Sequence, residues 1–285
     1  MKIPVNIARV LVGCLFIFSG LVKAIDPLGL SYKMQEFFEV WANDGIMKGL
    51  MMWLHNHSLS FSVCMITFEV IAGVALLIGW QKKITSWLLL LLTLFFTFLT
   101  AFVLFTGKIR ACGCFGDCIP LTPQQTFTKD IILTTLIILI LVGRKYIHPL
   151  FKKSVSITLM LIVLTGVLLL QWYVLNHLPV KDCLPFKVGN DIIELRKMPK
   201  DAVPNKYDYV FTYQKDGIKK DFTTSNLPDS SWEFVDRKQT LIQKGKNNIP
   251  LINDFSFKTE TGNDTTTAIL SQPGAYYLLF IKDVK

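Results

Sequence analysis

Five stretches of the sequence are long and apolar enough to cross the hydrocarbon core of a membrane. That core is about 30 Å thick, and an α-helix needs roughly 20 apolar residues to span it. Because unpaired backbone groups are costly in lipid, stretches of this kind are expected to be helical. We therefore predict an α-helical membrane protein, with the lipid bilayer as its surroundings and spans at residues 7–22, 59–80, 84–106, 127–142 and 155–174.

Basic residues are distributed unevenly among the loops between these spans. With the N-terminus in the cytoplasm, the cytoplasmic loops hold eight basic residues and no acidic one, whereas the outer loops hold six of each up to residue 176. This asymmetry is typical of the positive-inside rule. It places the loop at 107–126 and everything after residue 176 outside the cytoplasm.

The net charge of +9 does not indicate nucleic-acid binding. From residue 177 onward the chain has 16 basic and 14 acidic residues, so the region outside the spans is nearly balanced. The excess lies in the membrane part, where topology accounts for it. We predict no nucleic-acid partner.

The sequence after residue 176 changes from apolar runs to the alternation of β-strands. Residues 207–213 and 218–223 flank Asp216-Gly217, a dipeptide typical of a hairpin turn. Further strands are predicted at 231–235, 254–259 and 276–281. Residues 177–285 are therefore expected to form a small β-rich (α+β) domain.

Two short helices are predicted in the first outer loop. Met34, Phe37, Phe38 and Trp41 follow the spacing of one helical face. A helix of this kind would lie in the membrane interface and end near Gly45. A second short helix is expected at 46–54, so that both cover the bundle of spans.

Four cysteines are expected to face outward: Cys112, Cys114 and Cys118 in one loop, and Cys183 after the last span. In an oxidising compartment they should form disulfides, and four cysteines allow three pairings. A bond between Cys112 and Cys114 would close a tight ring, and strained disulfides exchange readily. Nearby Arg110 would favour a thiolate.

Three interpretations of this cysteine cluster stay open at this point. The cluster could be redox-active, or it could form structural disulfides that tie Cys183 to the loop. Thiolates together with His55 and His57 would also suit zinc or copper, although C-x-C-x3-C is not a typical zinc spacing. Cys14 and Cys64 lie within spans and are expected to be small packing residues.

Glu69 lies in the middle of the second span. A carboxylate at that depth costs at least about 2.5–3.5 kcal/mol, so its side chain should face the bundle interior and find a partner. It would either handle protons or a quinone, or hold helices together by a hydrogen bond. Lys23 and Asp26, at the outer end of the first span, are expected to be snorkelling or paired surface groups.

Several motifs resemble known membrane proteins. Residues 18–29 (FSGLVKAIDPLG) and the run from Glu69 to Gly79 resemble the first two spans of DoxX-like proteins. Residues 111–116 (ACGCFG) resemble the cysteine loop of MauE proteins of methylamine utilisation. Residues 252–264 with the strand at 276–281 resemble the opening of a TlpA-like thioredoxin domain, whose active-site cysteines would be expected beyond Lys285.

The resemblance implies a four-helix bundle in a bacterial inner membrane, distantly similar to quinone-linked thiol oxidants. This sequence adds a fifth span and an outer domain and lacks a C-x-x-C pair. The chain is expected to divide into a membrane domain at 1–150, a fifth transmembrane helix at 151–176 and a periplasmic β-rich domain at 177–285. The expected function is thiol–disulfide exchange with a periplasmic protein partner, with Cys112, Cys114, Cys118, Cys183 and Glu69 as site residues and quinone as electron acceptor. The alternative is a non-catalytic subunit that docks onto an envelope complex.

The topology can be tested by labelling. A cysteine introduced by Ser230→Cys should react with a membrane-impermeant maleimide in intact spheroplasts, whereas one introduced by Ser154→Cys should react only after lysis. Mass spectrometry measures the labelling of both variants, with the unmodified chain as the reference. The opposite pattern would place the cysteine loop on the cytoplasmic side.

Overall fold

The structure is a computed structural model that describes residues 2–109, 116, 118–119, 121–177, 180–243, 245, 248, 250–253, 255–274 and 277–278. It divides into two compact units, Met1–Leu184 and Pro185–Lys285. The first unit is helical, and the second contains a small sheet.

Five helices of the first unit are long and apolar enough to cross a membrane, as predicted. They are α1 (Lys2–Ala24), α4 (Ser58–Ile78), α5 (Lys82–Thr106), α6 (Pro123–Val142) and α7 (Lys153–Asn176). The chain is therefore a multi-pass membrane protein.

Helix α6 begins four residues before the predicted start of the fourth span. Thr122 and Gln125 cap each other's backbone amides in a capping box, and Pro123 occupies the first turn. Proline is tolerated there because that turn has no partner for its amide. The early start places Lys129 and Asp130 within the helix rather than at its end.

Two shorter helices, α2 (Pro27–Asn43) and α3 (Lys48–Asn56), connect α1 to α4. Asp26 caps α2 by accepting a hydrogen bond from the Gly29 amide at 3.0 Å. Gly45, with a φ of 82°, follows the end of α2 as predicted. The apolar face of α2 packs Phe37 against Phe102 and Val103 of α5, so α2 covers the bundle.

Helices α1 and α4 approach closely through glycines. A Cβ atom at Gly73 would lie 2.9 Å from the carbonyl oxygen of Gly13 and 3.0 Å from the backbone nitrogen of Ile17. Small residues allow this kind of contact between membrane helices. The core of the bundle packs around the same pair with Val12, Phe16 and Leu76.

The second unit contains a three-stranded antiparallel sheet in the order β2-β1-β3. The strands are β1 (Lys206–Lys215), β2 (Ile218–Thr223) and β3 (Glu233–Gln243). Asp216 and Gly217 join β1 to β2 with φ values of 50° and 78°. Two positive φ values are what a type I′ hairpin turn requires, so the predicted hairpin is confirmed.

The other predicted strands have different outcomes. The strand predicted at 231–235 is longer, running to Gln243 as β3. Within 255–259 the described residues form no strand, only a bridge from Lys258 to Asp264, so the strand predicted at 254–259 is wrong there. The strand predicted at 276–281 lies mostly outside the described residues.

Two short helices, α8 (Ile192–Leu195) and α9 (Thr266–Leu270), complete the second unit's described helices. Asp264 precedes α9 and accepts a hydrogen bond from the Thr266 amide at 2.8 Å. Arg196 donates to the other carboxylate oxygen at 3.0 Å. Mainly because Thr266 also donates its hydroxyl hydrogen, the pKa of Asp264 is lowered to about 2.

The glycine contact between α1 and α4 predicts a difference between two alanine substitutions. Gly73→Ala should destabilise the bundle by about 1–3 kcal/mol, because the new Cβ meets backbone atoms that cannot move aside. Gly166→Ala in α7 is the matched control, since nothing lies within 4 Å of its Cβ position. Thermal unfolding in detergent measures both. Equal midpoints for the two variants would contradict close packing at Gly73.

Candidate functional site

Among the cysteines that the structure describes, one disulfide of the predicted cluster is formed. Cys118 and Cys183 are bonded, at a sequence separation of 65. Of the three pairings open from sequence, this bond leaves Cys112 and Cys114 with each other, but both lie outside the described residues. Cys14 and Cys64 are free and exposed on the surfaces of their helices, so the expectation that they are packing residues is wrong. They face the lipid.

A cavity of about 360 Å³ lies beside the disulfide. Both bonded cysteines line it, together with three lysines and two aspartates, namely Lys23, Lys33, Lys181, Asp26 and Asp182. Nearby ammonium groups stabilise a thiolate relative to a thiol. Two of these lysines are already paired with carboxylates, Lys23 with Glu69 and Lys33 with Glu36, so the surroundings of this bond carry charges of both signs.

Glu69 faces the bundle interior, where its partner is Lys23. The Lys23 Nζ donates to the Glu69 carboxylate at 2.7 Å, and both side chains are at most 4% exposed. Lys23 also donates to the Ser19 hydroxyl at 3.2 Å and lies 5.1 Å from the centre of the Phe96 ring. Lys23 is paired, but the expectation that it lies at the surface is wrong, because the face of α1 that carries it turns toward α4.

A second buried charge pair lies next to the first. Asp130 of α6 is 1% exposed and accepts hydrogen bonds from Lys129 and, at 3.1 Å, from the Thr100 hydroxyl of α5. Both pairs line a cavity of about 20 Å³, which has room for about one water molecule. Glu69 is thus one of four neighbouring charges.

An apolar cavity of about 270 Å³ lies under α2. Its walls come from α2, α4 and α5 and are mainly aromatic: Phe37, Phe38, Trp41, Phe61, Phe95 and Phe96. Lys23 and Lys33 line it with their apolar stems. The cavity could take a flat, apolar molecule.

Lys23 connects these three spaces. It lines the disulfide cavity, the aromatic cavity and the small cavity between the charge pairs. Leu30 and Lys33 of α2 also line both larger cavities. The disulfide and the aromatic cavity are therefore neighbours, separated by these three side chains.

Sequence reasoning missed Lys23 and Asp130 because both were placed at the ends of spans. The rule that an ionisable residue inside a span needs a partner could have identified them. Applied to Lys23, with Ser19 one turn earlier on the same face, it would have suggested a second buried charge beside Glu69. His55 was considered as a metal ligand, and its Nε2 lies 2.9 Å from the Glu39 carboxylate.

Comparison with known proteins gives two matches. Residues 1–143 match the family described as Methylamine utilisation protein MauE. Residues 207–244, which contain most of the sheet, match Domain of unknown function (DUF8463). No curated protein and no solved structure matches the chain.

The buried pair predicts a graded response at Glu69. Glu69→Leu should lose about 3–5 kcal/mol of stability, because it leaves the Lys23 charge buried and unpaired. Glu69→Gln should lose less, since its amide oxygen can still accept the Lys23 hydrogen bond. Thermal and denaturant unfolding in detergent measure the stability of both variants.

The double variant Lys23→Met/Glu69→Leu is the control for that prediction. Replacing both charges by apolar groups removes the unpaired charge, so most of the stability lost in Glu69→Leu should return. A double variant no more stable than Glu69→Leu would show that the ion pair is not what Glu69 contributes.

Proposed function

The chain belongs to the Methylamine utilisation protein MauE family, and we propose that it carries out thiol–disulfide exchange during the maturation of exported proteins. It would lie in a bacterial inner membrane with its N-terminus in the cytoplasm and its second unit in the periplasm. The charge asymmetry of the loops supports this orientation. An oxidising periplasm would also account for a disulfide at Cys118.

The observation that carries the proposal is the bond between Cys118 and Cys183, because it closes one pair of the outer cysteines and leaves Cys112 and Cys114 as the other. The disulfide cavity and the aromatic cavity adjoin each other at the same end of the bundle. Thiol exchange needs a group that stabilises a thiolate and a route by which electrons leave.

The four outer cysteines divide into two pairs under this proposal. Cys118–Cys183 holds the loop to the end of the helical unit, and Cys112 and Cys114 form the exchanging pair. A thiolate of the partner protein attacks the Cys112–Cys114 bond and forms a mixed disulfide. The partner's second thiolate then displaces the bound cysteine. The partner leaves oxidised, and Cys112 and Cys114 are left as a dithiol with its two electrons and two protons.

The residues of the aromatic cavity fit a membrane quinone. Six aromatic side chains and the apolar stems of Lys23 and Lys33 suit a flat ring and its apolar tail. A bound quinone would supply an acceptor for two electrons and two protons. Glu69 and Ser19 hold the Lys23 ammonium between this cavity and the disulfide. Glu69 would thus be a positioning residue.

A second candidate function is a non-catalytic subunit that docks its periplasmic unit onto an envelope complex. The observation in its favour is the sheet: β2 and β3 are both edge strands, and every residue of β3 is exposed. Edge strands of this kind can pair with another chain. In that case both disulfides would be structural.

The exchange proposal predicts that the two cysteine pairs differ in reduction. In glutathione buffers the Cys112–Cys114 bond should open first, because a tight ring gives a more oxidising potential than the roughly −300 mV typical of structural disulfides. The variant Cys114→Ser should trap a mixed disulfide at Cys112, whereas Cys183→Ser should not trap one there. Thiol alkylation followed by mass spectrometry of the full chain measures both the order of reduction and the trapped mixed disulfide.

Two further variants separate the exchange step from the acceptor. Met34→Trp should fill the aromatic cavity and slow reoxidation by an added short-chain quinone, while glutathione exchange continues. Met52→Trp, at an exposed position of α3, is the matched control. Resistance of both bonds to glutathione until the protein unfolds would remove the exchange proposal and favour the docking subunit.

A further inference from the structure

Arg9 is buried at the end of the bundle opposite the disulfide. Its side chain lies in the first half of α1 and is 8% exposed. One Nη donates to the carbonyl oxygen of Leu77, near the end of α4. The Nε is buried without a hydrogen-bond partner among the described residues, and none of the ion pairs they form includes Arg9.

A guanidinium group stays protonated in proteins, so Arg9 cannot escape burial by becoming neutral. The Leu77 carbonyl supplies a hydrogen bond and a partial negative charge from the end of α4, but not a counter-ion. A buried charge without one is strongly unfavourable. The surroundings of Arg9 are therefore incomplete without an anion.

A cavity of about 310 Å³ opens beside Arg9. Lys2 and Asn6 line it from α1, and Tyr146 and His148 line it from the loop after α6. These side chains offer ammonium, amide, phenol and imidazole groups next to the guanidinium, and no carboxylate lines the cavity. This combination of donors suits phosphate, which arginine binds with two parallel hydrogen bonds.

The loop that forms one wall is fixed in place. The Leu150 amide donates to the Ile78 carbonyl at 2.9 Å, and Lys82 Nζ donates to the Ile147 carbonyl at 2.8 Å. Gly79 lets this loop come close, since a Cβ there would lie 2.8 Å from the His148 carbonyl oxygen. The cavity is therefore preformed and does not depend on binding for its shape.

We propose that this cavity binds the phosphate of an anionic phospholipid. Val10 and Leu150, which complete its lining, are 53% and 62% exposed, so the phosphate donors stand beside apolar groups that an acyl chain can contact. Lys2 is the first described residue of α1, a helix long and apolar enough to cross a membrane. The loops at this end carry basic residues and no acidic one, which attracts anionic headgroups. The inference is independent of the thiol chemistry.

Lipid binding is measured by native mass spectrometry of the full chain in detergent. We expect one phosphatidylglycerol to be retained more tightly than phosphatidylcholine. Lys2→Gln should weaken its retention about fivefold, because one ammonium near the phosphate is lost. Lys83→Gln is the matched control, an exposed lysine at the same end but outside the cavity. Its retention should be unchanged.

Further experiments test whether the bound phosphate belongs to a lipid or is free phosphate, and they include a second variant in case the first does not fold. Arg9→Gln should lose phosphatidylglycerol retention, and Tyr146→Phe, a milder change in the same cavity, should weaken it if Arg9→Gln does not fold. Inorganic phosphate should not displace the lipid. Displacement at low concentrations would assign the cavity to free phosphate and overturn the lipid source. Equal weakening by Lys83→Gln, or equal retention of both lipids, would overturn the site.

Discussion

The ion pair between Lys23 and Glu69 is the constraint on which the rest of the helical unit depends. Each charge alone would be too costly inside a membrane, so α1 and α4 must keep the two side chains 2.7 Å apart. The glycine contact between Gly13 and Gly73 brings the same helices together. One pair of helices thus fixes the position of Lys23, a residue that lines both larger cavities.

The two ends of the bundle are built for different chemistry. At one end, α2 covers an aromatic cavity, and the Cys118–Cys183 bond lies in the neighbouring space. At the other end, tightly pinned loops surround Arg9 with donors and no acid. The first arrangement suits thiol exchange with an apolar electron acceptor, and the second suits an anionic headgroup. The MauE family match covers the helices that form both ends.

Local signals predicted most elements because their causes are local. The length of the apolar runs gave five spans, the spacing of Phe37 and Trp41 gave α2, and Asp216-Gly217 gave the hairpin. The prediction at 254–259 was wrong within 255–259, because the chain turns back at once and residues 257–259 pair only with 263–265, which yields a single bridge. The start of α6 was misplaced because its capping box precedes the apolar run.

The sequence by itself determined that the chain spans a membrane, that one set of loops carries basic residues and no acidic one, and that Glu69 needs a partner. These follow from the cost of placing polar groups in lipid, which depends on residue type and position in a span. Only the tertiary structure decided that the partner is Lys23, that Asp130 lies beside them, and that Cys118 bonds Cys183. Such pairings join residues far apart in sequence, so helix packing rather than periodicity selects them.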